Sequence, residues 1–216
     1  MPKHLSDEDV HLFRQRICAV AEHLFDEHGP QAVSMRQLAA ELGVTAMTLY
    51  RYFNDKDDIL AAVRAQAFDR IAETLERALA RPIAGPTGQA TPVSSPLSSP
   101  VSSPVSSPVS SAYIDFALGH PAAYRLMFEL IQPNEADYPD LVRAASRARR
   151  TLRTFVERSI AAGLIEDDQP EVVAHAYWAA IHGLVVLQLA GKLGSTVSFD
   201  AVRKSIFGAL ARGFRK

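Results

Sequence analysis

Disulfide chemistry is closed to this chain: its 216 residues include one cysteine, Cys18, so no intrachain bridge can form. With Ile17 and Ala21 beside it at helical spacing, Cys18 reads as a small core residue rather than a redox sensor. Strand patterns are hard to find anywhere. The opening MPKHLSDEDVHLF lacks the apolar run of a secretory signal. The longest apolar stretch, AYWAAIHGLVVLQLAG, falls short of the ~18 residues that span a bilayer and contains His182 and Gln188. The expectation is a cytoplasmic protein with no membrane partner, that stretch being a buried helix. A formal charge of −1 argues against a strongly cationic nucleic-acid binder and against an acidic tail. No G-x-S-x-G, H-E-x-x-H or phosphate-binding glycine loop occurs, so catalysis finds no support and no cofactor is expected. His175 and His182 lie seven residues apart on one face, but no cysteine or carboxylate completes a metal set.

What is present is helical. Val10, Phe13, Ile17, Val20, Ala21, Leu24 and Phe25 recur at intervals of three and four, one face of an amphipathic helix that Gly29-Pro30 stops. Ser34 to Gln37 has the S-x-x-Q form of a capping box, opening a short helix that ends at Gly43. Thr45 can cap a third helix, AMTLYRYF, and Asp55 a fourth that runs to about Arg81. After a serine–proline tract come AYIDFALG, then AAYRLMFELI up to Gln132-Pro133. Leu141 to Ala162 follows, then a helix from Glu171 to about Leu193 with Pro170 in its first turn, and finally Phe199 to Phe214. The fold class is therefore all-α, with about nine helices.

Two short helices joined at Gly43 form the pattern of a helix-turn-helix. Leu38, Ala39, Leu42, Val44 and Leu49 supply its small core. Thr45, Ala46, Met47, Thr48, Tyr50, Arg51 and Tyr52 are left on or near the start of the second helix, the part that meets base edges in the major groove. Hydroxyls, tyrosines and an arginine can donate to phosphates or bases there.

These residues, SMRQLAAELGVTAMTLYRYFNDKDDIL preceded by FDEHG, resemble the DNA-binding domain of TetR-like transcriptional regulators over roughly residues 10–65. The portion T-L-Y-x-Y-F-x-x-K-x-x-I is highly characteristic. The resemblance implies that Arg36 reaches a base or phosphate, and that Thr45, Ala46, Met47 and Tyr50 face the major groove. It implies that Thr48, Tyr52 and Lys56 grip the phosphate backbone. Lys56 also opens the fourth helix, where free N–H groups and the dipole favour an anion. Leu49 and Phe53 belong to the core. The segment YWAAIHGLVVLQLAGKL, with Trp178 and His182-Gly183, is similar to the regulatory domain of one TetR subgroup. Against these signs, residues 1–60 hold six Lys/Arg and ten Asp/Glu, so binding to random DNA should be weak and operator binding should depend on dimeric avidity.

The helix that contains Val173, Tyr177, Ala180, Leu184 and Leu187 is apolar on all sides, as expected of one buried by its own core and by a partner subunit. With Ile206 and Leu210 of the last helix, Val173, Ala180, Leu184 and Leu187 are expected at a four-helix homodimer interface. Tyr113, Phe116, Tyr124, Met127, Phe128, Tyr177, Trp178 and His182 could line an apolar pocket for a small-molecule effector of unknown identity. The arginine-rich helix around Arg143 to Arg158 reads as a solvated or salt-bridged face.

The organisation expected is a helix-turn-helix domain over 1–55, a connecting helix over 56–81, a Ser/Pro-rich insertion over 82–111 and a regulatory and dimerisation domain over 112–216. In the tract VSSPLSSPVSSPVSSPVSS, proline every fourth residue forbids a continuous helix. By itself it could join two autonomous domains; beside the resemblance it reads as an insertion inside the regulatory domain. The function expected is a ligand-responsive repressor that binds a near-palindromic double-stranded operator as a dimer. The alternative is a dimeric small-molecule- or partner-binding helical protein that has lost DNA recognition.

Overall fold

The helices begin where the chain supplies a partner for first-turn N–H groups or dispenses with one. In the computed structural model, which describes residues 6–81, 107–128, 134–167 and 169–214, there are nine α-helices and one 3-10 turn among the described residues, and no strand. Ser6 opens α1 (Asp7–His28) and Ser34 opens α2 (Met35–Glu41), both through capping boxes. Ser34 Oγ accepts from the Gln37 N–H at 3.3 Å, and Gln37 Oε1 accepts from the Ser34 N–H at 2.8 Å. The box at Ser6 uses Asp9 in the same way, so the acids Asp7 to Asp9 start a helix and complement its dipole. Asp55 Oδ1 accepts from the Asp58 N–H at 2.8 Å at the head of α4 (Lys56–Leu79). Four further helices start on proline, which has no N–H to leave unpaired: α5 (Pro108–Gly119), α6 (Pro121–Phe128), α7 (Pro139–Ala161) and α8 (Pro170–Leu189). The others are α3 (Ala46–Leu49) and α9 (Phe199–Gly213), with a 3-10 turn at Glu135–Asp137.

Three boundaries differ from expectation. α5 starts at Pro108, four residues inside the serine–proline tract, because Ser107 Oγ accepts from the Ser110 N–H at 3.1 Å and Val109 and Ser110 are buried. α8 stops at Leu189 rather than near Leu193. Gly191 takes φ 65° there, its N–H donating to Gln188 and that of Lys192 to Leu187, which closes the helix by a glycine C-cap. α3 is a single turn. The expectations for residues 82–106, and for a continuation of α6 through Ile131, lie outside the described residues.

The chain divides into two compact units that do not follow chain order. The first joins Met1–Arg70 to His120–Ser146, so α6 and the start of α7 belong with the helix-turn-helix. Its core gathers Ile17, Cys18, Phe25, Leu38, Leu49, Phe53, Ile59 and Val63 with Leu126 of α6. Burial pushes the Cys18 thiol up to about 11, which removes it from redox chemistry near neutral pH. Ion pairs tie the same helices: Glu22 with Arg70, Asp26 with Arg125, and Asp69 with Arg143. Arg64 is 4 % exposed, and its Nη2 donates to the Met127 carbonyl and to Glu135, both at 3.2 Å. Its Nε and Nη1 are buried without a partner among the described residues. Such a guanidinium adds little net stability; it fixes the end of α6 against α4.

The second unit, Ile71–Gly119 with Arg147–Lys216, packs α8 against α5 and α9. By length and composition α8 could cross a membrane, which the sequence reading had ruled out from a shorter apolar run. Val173, Ala174, Tyr177, Ile181, Leu184 and Val185 are buried in this unit, a third of that apolar window lying inside. Arg147 pairs with Glu76, and Arg158 Nη1 donates to the Leu79 carbonyl at 2.9 Å; the arginine helix is salt-bridged.

Removing the Ser34 hydroxyl leaves first-turn N–H groups of α2 without their acceptor. Ser34→Ala should lower unfolding free energy by about 1 kcal/mol in urea titrations; an unchanged midpoint would show that the box contributes nothing.

Candidate nucleic-acid interface

The turn between α2 and α3 is built by a glycine. Gly43 takes φ 69°, its N–H donates to the Ala40 carbonyl at 3.1 Å, and the Val44 N–H reaches the Ala39 carbonyl at 2.9 Å. This pair of bonds is the Schellman motif, which needs a left-handed residue at this point. Val44, partly buried on the core, supplies the apolar contact that accompanies it. Leu38 and Leu49, both 0 % exposed, then fix α3 against α2.

Thr45 occupies the N-cap position of α3, yet its side chain makes no capping bond; its Oγ1 lies 3.1 Å from Thr48 Oγ1 instead. The segment expected to be helical through Phe53 continues past Leu49 as a turn, with Tyr52 and Phe53 N–H groups both donating to the Leu49 carbonyl. Arg36, Thr45, Met47, Tyr50 and Arg51 stand exposed around this turn, and Thr48, Tyr52 and Lys56 are half-buried. Ala46 rests partly buried on the core, so its place is more structural than expected. Tyr52 is likewise committed to packing, its ring centroid 4.8 Å from that of Phe13. No helix-dipole anion site is open beside Lys56. The Asp55 carboxylate already accepts from the first turn of α4, and Asp57 and Asp58 stand there too. Lys56 is left to attract a phosphate by its own charge.

None of Arg36, Arg51 and Lys56 has an ion-pair partner among the described residues, whereas Arg64, Arg70, Arg125 and Arg143 of the same unit are each paired. Cationic side chains thus remain available at the turn. The sequence reading missed Arg14. Its Nη1 donates to the Tyr52 carbonyl and its guanidinium lies 4.0 Å over the Phe53 ring. A cation at the carbonyl end of a helical turn is well placed. The available signal was an arginine three residues before Ile17 and four after Val10, on the apolar side of α1.

The eight residues expected to line a pocket divide between the two units. Tyr124 and Met127 are buried in the first, where Phe128 meets Tyr124 and Phe68 edge-on at 4.9 and 5.6 Å. In the second, Trp178 Nε1 donates to Tyr113 Oη at 3.0 Å, and Tyr113 Oη lies 3.4 Å from His182 Nδ1. Tyr177 stacks on Phe214, and Phe116 is buried. Desolvation holds the His182 pKa below the usual histidine value. Of the residues expected at a dimer interface, Val173 (0 % exposed) and Leu184 (2 %) are buried inside their own unit and cannot face a partner. They lie three turns apart on the inner side of a helix whose all-round apolarity hid its orientation. Ala180, Ile206 and Leu210 are half-buried and Leu187 is 45 % exposed. Among the described residues no three of His, Cys, Asp or Glu gather as a metal-ligand group.

A capped helix, a glycine turn and a short outward-facing helix held on a common core define a helix-turn-helix regulator. A family model for the N-terminal region of bacterial regulatory proteins of the tetR family matches residues 17–63, and one for the tetracyclin repressor-like C-terminal domain matches residues 108–210. An HTH-type transcriptional regulator of Staphylococcus aureus strain USA300 is 52 % identical over 46 residues. That alignment spans 21 % of this chain and 25 % of the relative's length. Among solved structures, a protein of unknown function from Rhodococcus sp. RHA1 covers 100 % of both chains at 25 % identity and TM-score 0.74. A TetR/AcrR family regulator from Thermobifida fusca shares the fold, with 22 % identity, TM-score 0.61 and coverage of 94 % and 99 %. The chain belongs to the TetR family of transcriptional regulators.

Two consequences can be measured. Arg14→Ala should weaken operator binding by up to about thirtyfold in gel shifts, since a cation–π contact and a charged hydrogen bond are together worth about 2 kcal/mol; binding at full strength would rule out the clamp. At His182 the folded state holds fewer protons than the unfolded one, so its contribution is present above the unfolded value near 6.5 and is lost as pH falls below it. Melting temperature should therefore drop from pH 7.5 to 5.5, and the drop should shrink in His182→Gln.

Proposed function

We propose that the chain is a ligand-responsive repressor that binds a near-palindromic operator as a homodimer in the cytoplasm. The observation that carries the reading is the turn with exposed Tyr50 and Arg51 and half-buried Lys56, whose cations have no ion-pair partner among the described residues. Arg36, Thr45, Met47, Thr48 and Tyr50 would meet base edges or flanking phosphates, and Arg51 and Lys56 the backbone. The dimer is supported by an apolar face that α8 leaves uncovered. Val172 (59 % exposed), Ala176, Ala179, Gly183 and Leu187 follow one another at steps of three and four, and α9 adds Ile206 and Leu210. An effector site in the second unit is supported by the Tyr113–Trp178–His182 cluster, a few polar groups in apolar surroundings, with Phe116 and Tyr177 close in the chain. The same Trp178 and His182-Gly183 carry the likeness to one TetR subgroup. The chain passes between the units within α4, after Arg70, and within α7, after Ser146. Effector binding would favour dimer geometries in which the two recognition turns no longer fit successive major grooves.

The rival reading, a dimer that has lost DNA recognition, leaned on the acid excess of residues 1–60. Much of that excess has structural employment: Asp7 to Asp9 at a helix start, Glu22 and Asp26 in ion pairs, and Asp55 in a cap. The combined replacement of Tyr50 and Lys56 by alanine should abolish gel-shift binding to the chain's upstream DNA. Dimer mass by light scattering should stay unchanged. Undiminished binding would defeat the assignment.

A further inference from the structure

Which bases the turn can read follows from what its side chains have left to offer. Of the four residues of α3, Leu49 is core, Ala46 rests on the core, and Thr48 is half-buried with its hydroxyl engaged by Thr45. Met47 alone stands clear, 73 % exposed, and Tyr50 one turn on is 50 % exposed. Residues at i and i+3 of a helix share a face, so this pair leads the surface. Met47 has no N–H or O–H to give and its thioether is a weak acceptor. It cannot make the bidentate bonds by which arginine reads guanine or asparagine reads adenine. The feature of the major groove that suits an apolar side chain is the C5-methyl group of thymine. Exposed apolar residues are common singly. Here the methionine is part of a helix-turn-helix whose cations Arg36, Arg51 and Lys56 have no ion-pair partner among the described residues and suit a polyanion.

Resting on the DNA-binding reading above, we propose that Met47 is a specificity-determining residue that recognises one thymine per half-site through its methyl group. The experiment selects operators from a random duplex pool with the wild-type chain, then replaces each half-site thymine in turn by deoxyuridine, which pairs identically but lacks the methyl. One position should cost about fourfold in affinity, the worth of one buried methyl group, and Met47→Ala should show no penalty there. Because Met47 is outside the core, this variant should keep the wild-type melting temperature. If wild type selects an operator but every deoxyuridine penalty persists in Met47→Ala, this inference falls while DNA binding stands. A penalty that disappears instead in Tyr50→Ala would also overturn it, since the methyl would then belong to Tyr50. If wild type selects no sequence, the DNA-binding reading fails and takes this one with it.

Discussion

A helix of four residues has no stability of its own in water, because nucleation fixes several residues for each hydrogen bond gained. The recognition turn of this protein is such a helix, Ala46–Leu49, and its shape is imposed from outside. Gly43 sets its direction, Leu38 and Leu49 hold its inner side, and Arg14 and Phe13 of α1 hold Phe53 and Tyr52 just beyond its end. Its outer side is then left free of core packing. The short turn therefore depends on α1, whose Phe13 and Arg14 hold Tyr52 and Phe53.

Charge follows the same division. Arginines beyond the turn, Arg64, Arg70, Arg125 and Arg143, are drawn into pairs with acids inside the first unit, while the cations at the turn have no ion-pair partner among the described residues. The partly exposed pairs among these add about a few tenths of a kcal/mol each to stability. Their larger effect is on the field, since they cancel acids that would otherwise repel a phosphate backbone. A count over residues 1–60 could not see this, because the arginines that pair with its Glu22 and Asp26, Arg70 and Arg125, lie outside it.

The parts legible in sequence were those governed by local chemistry. The box Ser34–Gln37, the glycine turn, the cap at Asp55 and most helix ends are set by residues within four positions of one another, and they stand as expected. What escaped was orientation. α8 is apolar on every side, so periodicity could not say which side was inward; Val173 and Leu184 turned in, and Val172 and Leu187 turned out. Arg14 escaped because its partners are 38 and 39 residues away, beyond any local pattern. The eight aromatic and polar residues grouped as one pocket share a chemistry, and chemistry alone did not assign them to one unit.

The head of α5 shows how fine the balance between local and tertiary signals can be. The unit S-S-P-V recurs along the tract, and proline every fourth residue should defeat a helix. Yet serine followed by proline is also a favourable helix start, with an acceptor at the cap and a residue at the first position that has no N–H to satisfy. In the last copy, Ser107 and Pro108 take those two positions. What lets a helix follow is downstream. Val109 is followed by Ser110-Ser111-Ala112-Tyr113-Ile114 and no further proline until Pro121, so the turn that Ser107 begins can propagate. Val109, Tyr113 and Ile114 then bury their side chains in the second unit. A motif that would end a helix at one place starts one at another, and the residues that follow it decide which.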